Sequence, residues 1–226
     1  GCSNNSFGCT DSNAVNYDPN ASTDDGSCCF VSGCTDPGAI NYNQNACFDD
    51  GSCVASILGC NNSIATNFDP IANTNIAFGG PIDNTFGTGG YFTGNQHLVF
   101  DANKQCVIKS AIVYAQAANT ITFELRDNLG TIIEDTTLPV VAGQQRITLD
   151  FNTPIGNDMQ LGISSANSGL FRNNSNVNYP YNIASAINIK SSSASSDPYG
   201  YYYFFYDLEV EAICTGIITN ISGCTD

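Results

Sequence analysis

Oxygen-bearing side chains recur at short intervals between Cys9 and Cys28, where they could bind a hard cation. The residues are Asp11, Asp18, Asn20, Ser22, Asp24 and Asp25. A second stretch has Asp36, Asn43, Asn45, Asp49 and Asp50 at corresponding places, and a third has Asp69. The first two runs are followed by a glycine, and oxygen ligands grouped in such turns are typical of calcium sites. The sequence therefore predicts calcium as a cofactor at these residues.

The same residues have an explanation that needs no metal. Asp, Asn and Ser side chains accept hydrogen bonds from nearby backbone N–H groups and stabilise turns on their own. The spacing is not that of an EF-hand, because the Glu at the twelfth loop position is missing. Residues 1–78 nevertheless contain eight Asp and no Lys or Arg, so no side-chain cation within them neutralises the carboxylates. Both interpretations stay open at this point.

These stretches lie in a cysteine repeat. Residues 8–28 read GCTDSNAVNYDPNASTDDGSC and residues 33–53 read GCTDPGAINYNQNACFDDGSC. A third copy, over 59–78, begins GCNNSIATNFDPIAN and lacks the DDGSC ending. Each unit has too few apolar residues for a core, and small units are usually held by disulfides or metal. Zinc is disfavoured, because His97 is the only histidine and closely spaced ligand pairs are missing. We therefore expect disulfides Cys9–Cys28 and Cys34–Cys53.

Seven further cysteines remain to be paired. Cys106 and Cys214 lie within the second half, so we expect them to bridge its first and last strands. Neighbouring repeats are then linked, in any of three connectivities, by Cys2, Cys29, Cys47 and Cys60. Cys224 is left over in SGCTD, which has the form of a repeat start. We accordingly expect a segment of a longer polypeptide, or a subunit whose last cysteine pairs elsewhere.

After the repeats, the apolar pattern changes to a period of two residues, which is typical of strands. The alternating apolar residues are Ile121, Phe123 and Leu125, then Ile147, Leu149 and Phe151, then Met159, Leu161 and Ile163. The aromatic run 201–213 is predicted to be one terminal strand. About eight strands in ~120 residues are the size of a sandwich or jelly roll. The predicted fold class is all-β, with small disulfide-stapled repeats and an antiparallel β-sandwich or jelly roll. Predicted boundaries are a repeat arm at 1–78, a Gly-rich linker at 79–92, a sandwich at 93–218 and a further repeat start at 219–226.

The chain resembles large secreted surface proteins of the Bacteroidota. The resemblance rests on the GCTD, NYDP and DDGSC motifs of the repeat and on stretches of the second half such as HLVFDA, GQQRITLDF and YYYFFYDLEV. It implies export, often by type IX secretion, and a role as adhesin, filament or appended binding module. The third repeat departs from the pattern, and its missing DDGSC puts a third calcium site in doubt.

Composition excludes several functional classes. Six Lys and Arg against 21 Asp and Glu give a formal net charge of −15, which opposes binding to nucleic acid and to anionic lipid. Eleven cysteines point to an oxidising compartment. No apolar run approaches the ~20 residues that span a bilayer, so direct membrane insertion is not expected. We expect a secreted, extracellular or cell-surface protein.

Few residues could support catalysis. Catalytic triads would all depend on His97, which lies beside an apolar run and is better explained as a strand-end residue. Glu209 and Glu211 share a face of the last strand, yet an acidic outer face explains them more simply than a glycosidase pair. We therefore predict no catalytic residue and do not expect an enzyme.

Aromatic side chains of the second half indicate a surface for sugars or for another subunit, although core packing explains the same tyrosines. The candidates are Phe171, Arg172, Asn173, Tyr179, Tyr181, Tyr199, Tyr201 and Tyr203. Predicted N-glycosylation sites are Asn4, Asn20, Asn61, Asn173 and Asn220. Thr136 is predicted to be O-glycosylated, because its DTT motif resembles the one used by Bacteroidota.

Together these features predict a structural subunit of an extracellular bacterial filament, fimbria or surface assembly. Disulfides and calcium would stiffen it, and its main partner would be further copies of itself. The alternative is a glycan-binding or adhesin module of a larger cell-surface protein.

Overall fold

The computed structural model describes residues 6–164 and 168–215 and divides the chain into two compact units, Gly1–Ala55 and Ser56–Asp226. The described residues contain strands, one short 3₁₀ helix and no α-helix, so the predicted all-β class is confirmed. Strands of the first unit are β1 (Phe7–Gly8), β2 (Thr23–Asp24), β3 (Ser32–Gly33) and β4 (Phe48–Asp49). Strands of the second unit are β5 (Ile76–Gly79), β6 (Gly89–Phe92), β7 (His97–Ala102), β8 (Cys106–Ala115), β9 (Asn119–Arg126), β10 (Ile132–Val140), β11 (Gly143–Thr153), β12 (Gly156–Ile163), β13 (Leu170–Asn173), β14 (Tyr181–Ile183), β15 (Ile187–Ser192), β16 (Tyr202–Tyr203) and β17 (Tyr206–Ala212).

The first unit contains the two complete repeats. Each repeat has one short parallel strand pair, β1 with β2 and β3 with β4. Its buried residues are few and small, chiefly Cys9, Ala14, Cys34 and Ala39. Since so little apolar surface is buried, the covalent bonds within and between the repeats supply much of the stability.

The second unit is a sandwich of two mainly antiparallel sheets. One sheet has the strand order β10-β9-β12-β7-β15-β14. In the other sheet β8 is central, with β11 along one side and β17 followed by β5 along the other, while β13 joins β6 and β16 beyond the end of β8. The 3₁₀ helix (Asn84–Phe86) connects β5 to β6. Its N-cap is Asp83, whose side chain accepts a hydrogen bond from Thr85 N–H at 2.7 Å.

One apolar core fills the space between the two sheets. The alternation predicted for β9, β11 and β12 is confirmed, because all nine predicted side chains are at most 5% exposed. Aromatic rings such as Phe100, Phe123 and Phe151 make up much of the core volume. Burial of such side chains is the main term that stabilises a domain of this kind.

The aromatic run before Leu208 differs from the prediction of one terminal strand. β16 ends at Tyr203, and Phe204 adopts a φ of +71°, after which β17 begins at Tyr206. This break removes the alternation, and every residue from Tyr202 to Tyr206 is at most 2% exposed. Of the candidates for a sugar or subunit surface in this run, Tyr203 therefore lies in the core, and Tyr201 is half-buried.

The domain boundaries also differ from those expected. The unit boundary follows Ala55, so the degenerate third repeat belongs to the same unit as the sandwich. The expected linker at 79–92 contributes the 3₁₀ helix and β6, which pairs with β13. Eleven strands are described between His97 and Ala212, against about eight expected for the sandwich.

Candidate functional site

Most of the side chains predicted to bind calcium act as turn acceptors in the structure, while Asn20 and Asn45 supply N–H donors to these turns. In the first repeat, Oδ1 of Asp18 accepts the backbone N–H of Asn20 at 2.8 Å, and Asp24 and Asp25 accept those of Gly26 and Ser27 at 2.9 Å each. The equivalent contacts of Asp11, Asp36, Asn43, Asp49, Asp50 and Asp69 likewise reach the residue two positions on. Ser22 instead bonds to Ser6 across the start of the repeat. These Asx turns account for the spacing of the side chains without a metal.

Within the described residues, no group of three or more His, Cys, Asp or Glu side chains is arranged to hold a metal ion. A calcium site would need several of these oxygens to converge, whereas each carboxylate faces its own turn. Hydrogen bonds from Ser27 and Ser52 lower the pKa of Asp25 and of Asp50, respectively. Calcium binding stays a prediction.

Four disulfides lie in the described part of the chain. Cys9–Cys28 and Cys34–Cys53 form as predicted, and Cys29–Cys47 links the first two repeats. The fourth bond joins Cys60 to Cys214, across a sequence separation of 154 residues. The predicted Cys106–Cys214 bridge is therefore wrong. Cys2 and Cys224 lie outside the described residues.

Cys106 is a buried free thiol. It faces the core from β8, directly opposite Ala212 on β17. Cys214 lies two residues further on, where the chain has left the sheet, so the two sulfur atoms do not meet. Burial raises the pKa of the Cys106 thiol to about 12.

Cys214 gives the third repeat the cysteine that its own sequence lacks. In the first repeat, the side chain of Asn16 donates to the Ser27 carbonyl at 2.7 Å and accepts from the Cys29 N–H at 2.8 Å. Asn41 makes the same pair of bonds with Ser52 and Val54, and Asn67 makes it with Ile213 and Thr215. The backbone bond from Val15 N–H to the Cys29 carbonyl likewise recurs from Thr66 to Thr215 at 2.9 Å.

Residues 213–215 are thus the closing segment of the third repeat, and the sandwich is an insertion within it. Residues 75–212 stand where Asp24, Asp25 and Gly26 stand in the first repeat. The repeat is also fixed to the sandwich, since Leu58 is buried in its core and Lys104 donates to the Leu58 carbonyl. Lys104 pairs with Asp69 at 3.2 Å and lowers the pKa of that carboxyl, so the Asp69 charge is neutralised from the sandwich.

No protein-family model, curated protein or solved structure matches the chain. The functional assignment therefore rests on contacts within the chain.

Five of the six Lys and Arg residues have carboxylate partners. The pairs are Lys104–Asp69, Lys109 with Asp150 and Glu211, Arg126–Glu124, Arg146–Asp207, and Lys190 with Asp101 and Asp158. Arg172 pairs with none within the described residues, and its guanidinium lies between aromatic rings instead. The position of Arg172 on β13, between β6 and β16, brings these rings together.

The other aromatic candidates are not all available to a ligand. Tyr203 is buried, which contradicts its prediction as a ligand or interface residue. Tyr179 and Tyr181 are half-buried and pack on Tyr202, with ring centres 6.1 and 5.4 Å away. Half-buried Phe171 contacts the ring of Tyr91, a residue that the sequence reasoning missed. Tyr201 is half-buried and Tyr199 is exposed.

The predicted glycosylation sites differ in accessibility. Asn20 and Asn61 are exposed, and Thr136 is half-buried on the face of β10 that also carries Leu138. Asn173 is fully buried, and its Nδ2 donates to the carbonyls of Asn84 and Gly87 at 3.0 and 2.9 Å. A glycan at Asn173 is therefore incompatible with the folded chain. Asn4 and Asn220 lie outside the described residues.

The remaining candidates for chemistry have structural partners. His97 begins β7, and burial lowers its pKa to about 4, so its ring is neutral at pH 7. Glu209 accepts a hydrogen bond from Ser110, and Glu211 pairs with Lys109 at 3.6 Å. Glu211 therefore belongs to an ion pair, and Glu209 is linked to Arg146 through the hydroxyl of Ser110.

Four disulfides fit a secreted or extracellular protein. Among the described residues, no helix has the length and apolar character needed to cross a bilayer.

Proposed function

We propose that the protein is a structural, non-catalytic component of an extracellular assembly, in which cysteine repeats form the framework and carry the β-sandwich as an inserted module. The observation that supports this most directly is the closure of the third repeat by Cys214. A repeat that is completed across an inserted domain keeps the same hydrogen bonds as its neighbours, so the framework continues past the module. The resemblance of the chain to Bacteroidota surface proteins, which rests on its repeat motifs, also supports this proposal.

Exposed apolar side chains support association with further copies. In the first unit, Phe7, Phe30 and Phe48 are 64%, 58% and 43% exposed. Exposed apolar side chains mark an interaction surface when they form a contiguous patch, and the variant below tests whether these act as one. The unit also has no Lys or Arg, so copies would repel one another unless salt, calcium or a basic surface screened the carboxylates. Glycans at the exposed Asn20 and Asn61 belong to the same proposal.

Negative-stain electron microscopy of the oxidised protein tests this function. We expect ordered polymers, and we expect the F7S/F30S variant to shorten or abolish them. The matched control is C106A, which changes a buried thiol outside the repeats and should leave polymers unchanged. Dispersed particles at every concentration and salt tested would contradict the proposal. Adding a calcium chelator tests separately whether calcium links the copies, because only a polymer held together by calcium would loosen.

A further inference from the structure

Arg172 is distinguished from the other cations by the absence of an acidic partner within the described residues. The chain has 21 Asp and Glu against six Lys and Arg, so carboxylates are abundant. The other five cations each contact at least one of them. The charge of Arg172 is half-buried and is left without a carboxylate.

Aromatic rings hold the guanidinium of Arg172. Its central carbon lies 4.4 Å from the ring centre of Phe92 and 4.4 Å from that of Tyr201, with Tyr203 at 5.8 Å. An aromatic ring whose centre lies within about 6 Å of a cation stabilises that cation through its π face. They also fix the plane of the guanidinium. One of its N–H groups donates to the Tyr203 hydroxyl, and the others can donate to a ligand.

A fixed guanidinium edge is complementary to a carboxylate, because two parallel N–H groups match its two oxygen atoms. The aromatic rings nearby would contact a ligand with an apolar face. Phe92 and Tyr201 are themselves half-buried, so part of each ring is open to such a ligand. A sugar acid combines both features, since its ring carries C–H groups beside the carboxylate.

We propose that Arg172, Phe92 and Tyr201 form a binding site for the carboxylate of an acidic sugar, such as a uronic-acid unit of a polysaccharide. The site lies in the sandwich and does not depend on the self-assembly proposed above. Binding measurements on dispersed protein therefore test it separately from polymer formation.

Titration of the full chain with trigalacturonate in 0.15 M salt tests the proposal. We expect saturable binding, with the uncharged methyl ester of the same trimer at least about tenfold weaker, because it lacks the charge-assisted hydrogen bonds. Sodium acetate should bind more weakly than the trimer. Equal affinity for acetate would overturn the sugar assignment, and absence of saturable binding would overturn the site.

Variants locate the binding. R172Q should weaken trigalacturonate binding by at least about tenfold. R146Q is the matched control, because Arg146 also lies over a ring, 5.6 Å from the centre of Phe78, but is paired with Asp207. If R172Q does not fold, NMR of the unaltered protein decides: the Nε–Hε signal of Arg172 should shift on titration, while that of Arg146 should not. An equal loss in both variants, or an unmoved Arg172 signal, would refute the assignment.

Discussion

Replacing Cys60 and Cys214 by alanine tests whether the third repeat is closed across the sandwich. The bond spans 154 residues of sequence, against 19 for Cys34–Cys53. In the chain-entropy model, closing a loop of the longer size destabilises the unfolded chain by about 5 kcal/mol, compared with about 3 kcal/mol for the shorter loop. We therefore expect C60A/C214A to lower the free energy of unfolding of the second unit by about 5 kcal/mol.

The local effect of the same change is smaller, because the folded sandwich already brings the ends of the repeat together. Ile76 pairs with Glu211 between β5 and β17. Ile76 lies sixteen residues after Cys60, and Cys214 lies three residues after Glu211. Once the sheet has formed, the bond therefore closes an effective loop of ordinary repeat length. The sandwich should stay folded in the variant while the repeat opens more often, with faster amide exchange at Thr66.

Thermal unfolding of the oxidised proteins measures the effect. For a unit of this size, about 5 kcal/mol corresponds to a decrease in Tm of roughly 10–20 °C. The matched control is C34A/C53A, which also removes a buried cystine but lies in the other unit, so the sandwich transition should not move. A decrease of less than about 3 °C in C60A/C214A, together with unchanged exchange at Thr66, would refute the reasoning.

Three further changes test individual features. N41A removes the two hydrogen bonds to Ser52 and Val54 and should cost about 1–3 kcal/mol in denaturant unfolding. N45A changes an amide that is equally exposed but has no side-chain hydrogen bond among the described residues, so it should cost less than about 0.5 kcal/mol. Equal effects would argue against the role of Asn41. The folded-state pKa of His97 is about 4 against an ordinary 6.5, so the unfolded state takes up the proton first as the pH falls. Stability should thus decrease from pH 6.5 towards pH 4 and stay level above that range, and H97Q should show a shallower slope; an unchanged slope would contradict this. The buried Cys106 thiol should resist iodoacetamide at pH 8 until the chain unfolds, and rapid labelling of the native protein would show that it is accessible.

Features carried by a local pattern could be predicted from the sequence. Two copies of the same cysteine spacing were enough to pair Cys9 with Cys28 and Cys34 with Cys53. The period of two residues identified the buried face of β9, β11 and β12, because side chains alternate between the faces of a strand. In the aromatic run, the prediction of one continuous strand was wrong. The positive φ of Phe204 interrupts the strand, and the consecutive rings from Tyr202 to Tyr206 are all buried.

Features that depend on distant parts of the chain could not be predicted in this way. The rings around Arg172 come from β6 and from the segment before β16, and the glycine-rich sequence around β6 gave no strand pattern. The partner of Cys60 cannot be predicted by pairing cysteines within each half of the chain, because Cys214 lies in the other half. A signal was nevertheless present: Asn67 follows Cys60 by seven residues, as Asn16 follows Cys9. An asparagine retained at this position indicates that the closing segment is also retained somewhere in the chain.

Removing the sandwich tests whether it is an insertion within a third repeat that can form without it. In the variant, residues 75–212 are replaced by Asp-Asp-Gly, the residues at 24–26 of the first repeat. Leu58 would lose its place in the sandwich core, but the equivalent Phe7 is 64% exposed in the first repeat, so exposure at this position is tolerated. We expect an oxidised third repeat with a Cys60–Cys214 disulfide by peptide mapping, and less of that disulfide when Asn67 is also changed to alanine. Free thiols at Cys60 and Cys214 would show that the segment closes only with the support of the sandwich, and the sandwich would then be an integral part of the repeat instead of an insertion in it.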